Sequence, residues 1–435
     1  MKKLRYVFSG TNMFNAGPRM YGRETPEIYD INAAIIREGV EKLRADLNAQ
    51  LKEVGFEIDI DILFNAVNEP SFGKWFIEKE KYGMGKIYAD SGGLQVISVG
   101  KQIDDALKRE IYEIQSVADY AFCFDEIPVQ MFKFTRLSKN AKLFQPSRIK
   151  EKARKTAQNV LEQIDTFREL DSETKVLFIV QGNNRDDMLE WFSEGVKVLG
   201  DDHMSEIAGV ANAFSCLGRG DLETIENVLG YYKCREAFGP AVTKNHLHLL
   251  GIGSPACFLP AVFLFHSGNL IPDEVTLSFD SSSYSMSYMM GKFYDTNKKF
   301  INKHPHDFYR YFRSVFDYFE PIYRRYVPSL DREKFLEFVV ENRRTMRNTL
   351  NLAPEGMETM MRAHITLSCL YQLLGFVRYI VDNLKKMKID NGAIGMLQYV
   401  KNEDDYGHWL KEYGRFVKSI RIARESENTL CNFFG

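Results

Sequence analysis

Eight short runs of apolar, β-branched and aromatic residues punctuate the first 280 positions. They are LRYVF (4–8), IDILFNA (60–66), KIYAD (86–90), DYAFCFD (119–125), VLFIVQG (176–182), EIAGVAN (206–212), HLHLLGIG (246–253) and VTLSFD (275–280). Between several of them the period changes from two to about 3.6, as in ARKTAQNVLEQIDTFREL (153–170), which predicts amphipathic helices. Strands alternating with helices predict a parallel sheet, and runs this continuously apolar predict strands covered on both faces. Eight strands in this length fit a closed (β/α)8 TIM barrel better than an open doubly wound sheet, although both share the local pattern. Most of the runs end in a polar or glycine-containing cluster: Asp90-Ser91-Gly92-Gly93, Asp125-Glu126, Gln181-Gly182, Gly209, Gly251-Ile252-Gly253 and Asp280-Ser281. In a barrel the C-terminal strand ends converge on one face, where catalytic groups gather.

Beyond Phe300 the pattern is helical. HPHDFYRYFRSVFDYFEPIYRRYV (304–327) is dense in aromatics and arginine, and MRAHITLSCLYQLLGFVRYIVDNLKKMK (361–388) continues the helical period. The expected division is a barrel over 1–300 and a helical C-terminal region over 301–435.

Composition narrows the classes. No stretch approaches the ~20 unbroken apolar residues of a membrane span. The start, MKKLRYVFSG, has no long apolar core and no small-residue cleavage site, so it reads as the first strand of a cytoplasmic protein. The six cysteines form no C-x-C or C-x-x-C pair, which argues against a disulfide framework and against a cysteine-rich metal site. A net charge of −2 confines any nucleic-acid surface to a local patch.

Asp90 and Asp280 each close an apolar strand and precede small residues that let a substrate approach. Breaking an N-glycosidic bond needs such a carboxylate at the anomeric carbon and a second group to manage protons on the bases. A strand-end Asp is also a common cap or turn residue. The combination is more specific. DSGGLQ (90–95), FDE (124–126), IVQGN (179–183), AGVA (208–211), LLGIGSP (249–255) and SFDSSSY (278–284) occur in the order and at the spacing of the tRNA-guanine transglycosylase family. The chain resembles that family over 86–285.

The resemblance implies roles. Asp280 is the nucleophile that attacks C1′, and Asp90 is the general acid/base. Asp125 accepts the N1–H and 2-amino hydrogens of a guanine-like ring, and Gln181 and the Gly209 N–H serve its O6 edge. Ser91 and Gln95 position the base, with Leu250 and Gly251 beside it. Two departures stand out. Leu94 occupies the position of an aromatic that stacks on the base, and Leu250 that of a methionine opposite. The C-x-C-x-x-C cluster and later His that bind structural zinc in the tRNA enzymes are missing, so no metal is expected. His364 and Cys369 read as helix-packing residues.

A full catalytic set without zinc ligands is most similar to the DNA-guanine transglycosylases, which exchange guanine in DNA for a 7-deazaguanine such as preQ0. The expected partners are therefore DNA, a 7-deazaguanine base and, implied by the resemblance alone, a companion ATPase that opens DNA. No organic cofactor is expected. Arg310, Arg313, Arg324 and Arg325 are candidates for phosphate contact, with Tyr309, Tyr311 or Phe312 for base stacking. The basic run RIKEKARK (148–155) is the next candidate. The alternatives are a tRNA-guanine enzyme without zinc and an inactive nucleic-acid-binding accessory subunit.

Overall fold

A computed structural model describes residues 1–9, 26–67, 82–92, 104–133, 140–214, 221–266, 272–281, 284, 292–293, 301–302, 305–342 and 357–389. Each apolar run becomes a barrel strand. These are β1 (Lys2–Ser9), β2 (Phe56–Asn65), β3 (Ile87–Asp90), β4 (Tyr120–Phe122), β7 (Lys175–Gly182), β8 (Ile207–Phe214), β9 (His246–Leu249) and β10 (Thr276–Ser281). They close as a parallel barrel in the order β1-β10-β9-β8-β7-β4-β3-β2. That closure selects the (β/α)8 TIM barrel over the open sheet. An antiparallel hairpin, β5 (Val129–Lys133) with β6 (Asn140–Phe144), sits in the loop after β4.

Helices α1 (Pro26–Lys52), α2 (Asp105–Gln115), α3 (Ile149–Glu169), α4 (Arg185–Met204), α5 (Asp221–Phe238) and α6 (Pro255–His266) follow β1, β3, β4, β7, β8 and β9 in turn. Because side chains alternate across a strand, one face of each strand meets these helices and the other fills the lumen. On β10, Phe279 points outward, with its ring centroid 3.9 Å from that of Phe258 on α6. Its neighbours Ser278 and Asp280 point inward.

The C-terminal region provides α7 (Pro305–Tyr326), α8 (Arg332–Asn342) and α9 (Glu358–Ile389). The last of these occupies the barrel's eighth helix position, between α1 and α6. Asn32 Oδ1 accepts from the Ala363 N–H at 2.9 Å, and Lys385 pairs with Glu53 at the other end of α1. A Cβ on Gly39 of α1 would lie 2.5 Å from Leu367, so the two helices approach at a glycine. Phe376 stacks on Phe279 at 5.3 Å and meets Phe258 at 5.6 Å. The expected division at 300/301 therefore needs correction: residues 358–389 belong to the barrel wall. One helical span, Met360–Lys385, is long and apolar enough to cross a membrane, and 72% of its apolar window is buried inside the fold. Contact with α1 on one side and α6 on the other accounts for that apolarity.

Helix α7 lies across the flank formed by α1 and α9. Tyr311 and Phe312 are buried, and Tyr311 donates to the Ser368 carbonyl. Tyr323 meets His364 Nδ1 at 3.1 Å. Tyr309 bonds Glu333. Arg325 pairs with Glu38, Arg324 with Glu320, and Arg313 lies 4.0 Å from Asp317. This revises the sequence reading: Tyr311 and Phe312 are core, and three of the four arginines face carboxylates. Only Arg310 stays an exposed candidate without an ion pair among the described residues. In the 148–155 run, Lys152 pairs with Glu126, Arg154 with Glu194, and Arg148 and Lys155 with Glu151.

Candidate active site

The lumen holds ionisable groups at both ends and aromatic rings between them. At the N-terminal end of the strands, Arg5 on β1 forms a two-point pair with Asp61 on β2, Nε to Oδ2 at 2.5 Å and Nη2 to Oδ1 at 2.8 Å. Asp61 also accepts the Lys86 N–H at 2.7 Å. Above this pair come aromatic rings and two histidines, and above those three carboxylates at or just past the ends of three separate strands.

Asp90 ends β3, opposite Asn65 in the β2–β3 register. The Asn65 amide donates to its Oδ2 at 2.7 Å and the Gly92 N–H to its Oδ1 at 3.2 Å. Burial pushes the Asp90 carboxyl up to about 6. The charge of Asp280 adds to the rise, and the two donors oppose it without overcoming it. Asp125, three residues past β4, is buried and accepts from Gln181 Nε2 at 2.6 Å. Burial raises it too, to about 6, with a contribution from the charge of Asp90. Asp90 therefore stands within electrostatic reach of both other acids.

Asp280, near the end of β10, meets no Lys or Arg among the described residues. Its Oδ1 accepts from the Gly251 N–H at 2.6 Å and contacts His248 Nε2 at 3.2 Å. Gly251 turns the chain with φ 71°, a left-handed conformation in which glycine is unstrained, and this aims its N–H back at the carboxylate. Among the described residues Asp280 Oδ2 takes no hydrogen bond. Ser91 lies beside Asp90, buried, and its hydroxyl has no partner among the described residues. Leu250, half-buried, follows β9 at the same end, and its N–H meets the Asn212 carbonyl at 3.3 Å.

The structure thus brings together Asp90, Ser91, Asp125, Gln181, Leu250, Gly251 and Asp280. It excludes Gly209. That residue pairs with Leu177, four positions before Gln181 on β7, which sets it deeper by roughly 13 Å at 3.3 Å per residue. A Cβ there would lie 2.6 Å from both Cβ and the carbonyl oxygen of His246. Gly209 is a glycine because two strands crowd the lumen, not because a ligand approaches its N–H. Gln95 and Leu94 lie outside the described residues.

The comparisons give no family. No family model matches this chain, and no curated protein is detectably similar to it in sequence. Among solved structures, the biosynthetic arginine decarboxylase SpeA from Campylobacter jejuni is similar over 72% of this chain and 59% of its own length. The identity is 12% and the TM-score 0.30. The chain spans less than two thirds of that protein, and so faint a likeness says nothing about chemistry. The closed strand order carries the fold assignment by itself.

Sequence reasoning missed His248, Ser278 and Asn65. The two histidines of HLHLLGIG alternate with leucines, and the serine of VTLSFD breaks an apolar run. Inward-facing polar residues on central strands were the available signal. Among the described residues no group of three or more His, Cys, Asp or Glu side chains is placed to hold a metal ion.

Proposed function

We propose that this chain is a base-exchanging transglycosylase acting on a guanine-type nucleotide in nucleic acid, with Asp280 as nucleophile and Asp90 as general acid/base. The observation that carries the reading is the asymmetry of Asp280. One oxygen is pinned by two neighbours and the other takes no hydrogen bond among the described residues, beside an Asp90 carboxyl held near 6. In this mechanism Asp280 Oδ2 attacks C1′, and the C1′–N9 electron pair leaves with the base. Asp90 supplies the proton that the departing base takes up. The incoming base then gives its proton to Asp90 and attacks C1′, which breaks the ester and returns Asp280 as carboxylate. A group that titrates near 6 can both give and take that proton close to neutral pH.

Asp125 supports a guanine-like base. One carboxylate can accept N1–H and the 2-amino group together, and a buried one does so with little competition from water. Gln181 orients Asp125 through an amide hydrogen and, in this reading, stands at the strand end that meets the O6 edge of the base.

DNA is the polymer in this reading because the sequence lacks the paired cysteines that accompany tRNA recognition in the family it resembles. The inserted base is then a 7-deazaguanine such as preQ0. Incubating the protein with labelled guanine and either plasmid DNA or bulk tRNA tests both levels. Label entering DNA alone supports the proposal, label entering tRNA moves the substrate, and label entering neither, with or without an ATP-driven helper, refutes exchange.

A further inference from the structure

His248 lies in the lumen directly beneath Asp280, fully buried, and the mechanism above leaves it unused. Its Nε2 is 3.2 Å from Asp280 Oδ1 and its Nδ1 is 2.8 Å from Ser278 Oγ. The same Ser278 oxygen is 2.7 Å from His246 Nε2. Phe122 and Tyr88 hold the His248 ring at centroid distances of 4.7 and 5.8 Å, and Tyr120 meets His246 at 5.2 Å. The geometry points to a hydrogen-bond chain, His246–Ser278–His248–Asp280, in which His248 is a positioning residue that clamps Oδ1 and keeps Oδ2 aimed at the substrate.

With Asp280 ionised and the His248 ring neutral, the chain has one consistent proton order. An ionised carboxylate can only accept, so His248 Nε2 carries a hydrogen. In the neutral ring Nδ1 is then an acceptor, and the Ser278 hydroxyl must point to it. The Ser278 oxygen in turn accepts from His246 Nε2–H. His246 is held neutral, pushed down to about 3 chiefly by burial. Each link thus fixes the tautomer of the next, as a second partner commonly does for a working imidazole.

The activity arm of the test rests on the transglycosylase reading; the spectroscopic arm does not. In long-range 1H–15N spectra of the histidine-labelled full chain, His248 is expected as the Nε2–H tautomer with an accepting Nδ1. Ser278→Ala should shift that Nδ1 resonance and lower kcat about 10–100-fold, because a slightly misaimed nucleophile is costly. KM for the base should stay within about twofold. His248→Gln, whose amide can still reach Asp280, should retain more activity than His248→Phe, and Ser278→Ala serves alone if the Phe variant fails to fold. A wild-type His248 found as Nδ1–H or as imidazolium overturns the proposal, as does folded Ser278→Ala exchanging bases at the wild-type rate. If the wild-type chain exchanges no base at all, the function fails while the tautomer still decides the chain.

Discussion

The two ends of the barrel lumen handle buried carboxylates in opposite ways. At the N-terminal end Asp61 is fully buried but meets a guanidinium at two points and a backbone N–H. At the C-terminal end Asp90, Asp125 and Asp280 meet amides, backbone N–H groups and an imidazole, and no Lys or Arg among the described residues. A paired buried acid serves the fold, because its charge is already spoken for. An unpaired one raises the energy of the folded state and keeps its chemistry available, which is how pKa perturbation comes to mark active sites.

Substitutions at the two ends should separate these roles. The largest effect is expected from Asp280→Asn. Exchange should vanish, since an amide is a poor nucleophile, while the melting temperature moves by only a few degrees as for a pocket residue with little packing. Unfolding of this variant instead would make Asp280 structural. Asp61→Ala should do the reverse and strand Arg5, costing about 3–5 kcal/mol in a denaturant titration. An unchanged midpoint there would erase the contrast between the ends.

Asp125→Ala should weaken binding of a 7-deazaguanine base by a factor of tens or more, corresponding to about 2–4 kcal/mol for unpaired ring donors. Calorimetry with preQ0 reads this directly, and an equal dissociation constant places the base elsewhere.

A pH series sharpens the comparison further. The Asp90 carboxyl sits at about 6 in the folded chain, against about 3.9 for an unfolded Asp. The folded state therefore favours the protonated form. Below about pH 4 both states hold the proton and nothing is lost. Between about 4 and 6 the unfolded chain ionises first, and above that a constant penalty of about 2–3 kcal/mol remains. Asp90→Asn should thus gain stability over wild type as pH rises through that window and hold the gain to pH 8. A flat difference between pH 4 and 8 would contradict the assignment. Arg325→Gln is the smallest case. Its pair with Glu38 is solvent-exposed, and the expected loss is below about 1 kcal/mol.

Much of the barrel was legible because each strand is a local pattern of three to ten residues, and so were the acids that end β3 and β10. The lumen was not. Arg5 and Asp61 are 56 residues apart, and His248 and Ser278 are 30 apart. No periodicity encodes which inward positions on different strands meet; that depends on the register of the closed sheet. Gly209 shows the same limit, since AGVA has a strand-end look, yet β8 runs on to Phe214. The arginines of 304–327 were hard to assign for a related reason. An aromatic and basic helix reads alike whether it faces phosphates or the carboxylates of α1, and only packing against Glu38 and Asp46 tells them apart.

Helix α9 sets the order of assembly on the ribosome. Its partner α1 emerges early, but the bond from Ala363 to Asn32 spans 331 residues. At about 5–20 residues per second, the apolar seam of α1, Phe258 and Phe279 waits many seconds for its cover. During that interval the nascent chain presents a long greasy stripe, which makes it a natural client for chaperones that shield such surfaces. Release of a chain stopped before residue 358 should yield an aggregating product rather than a smaller working barrel.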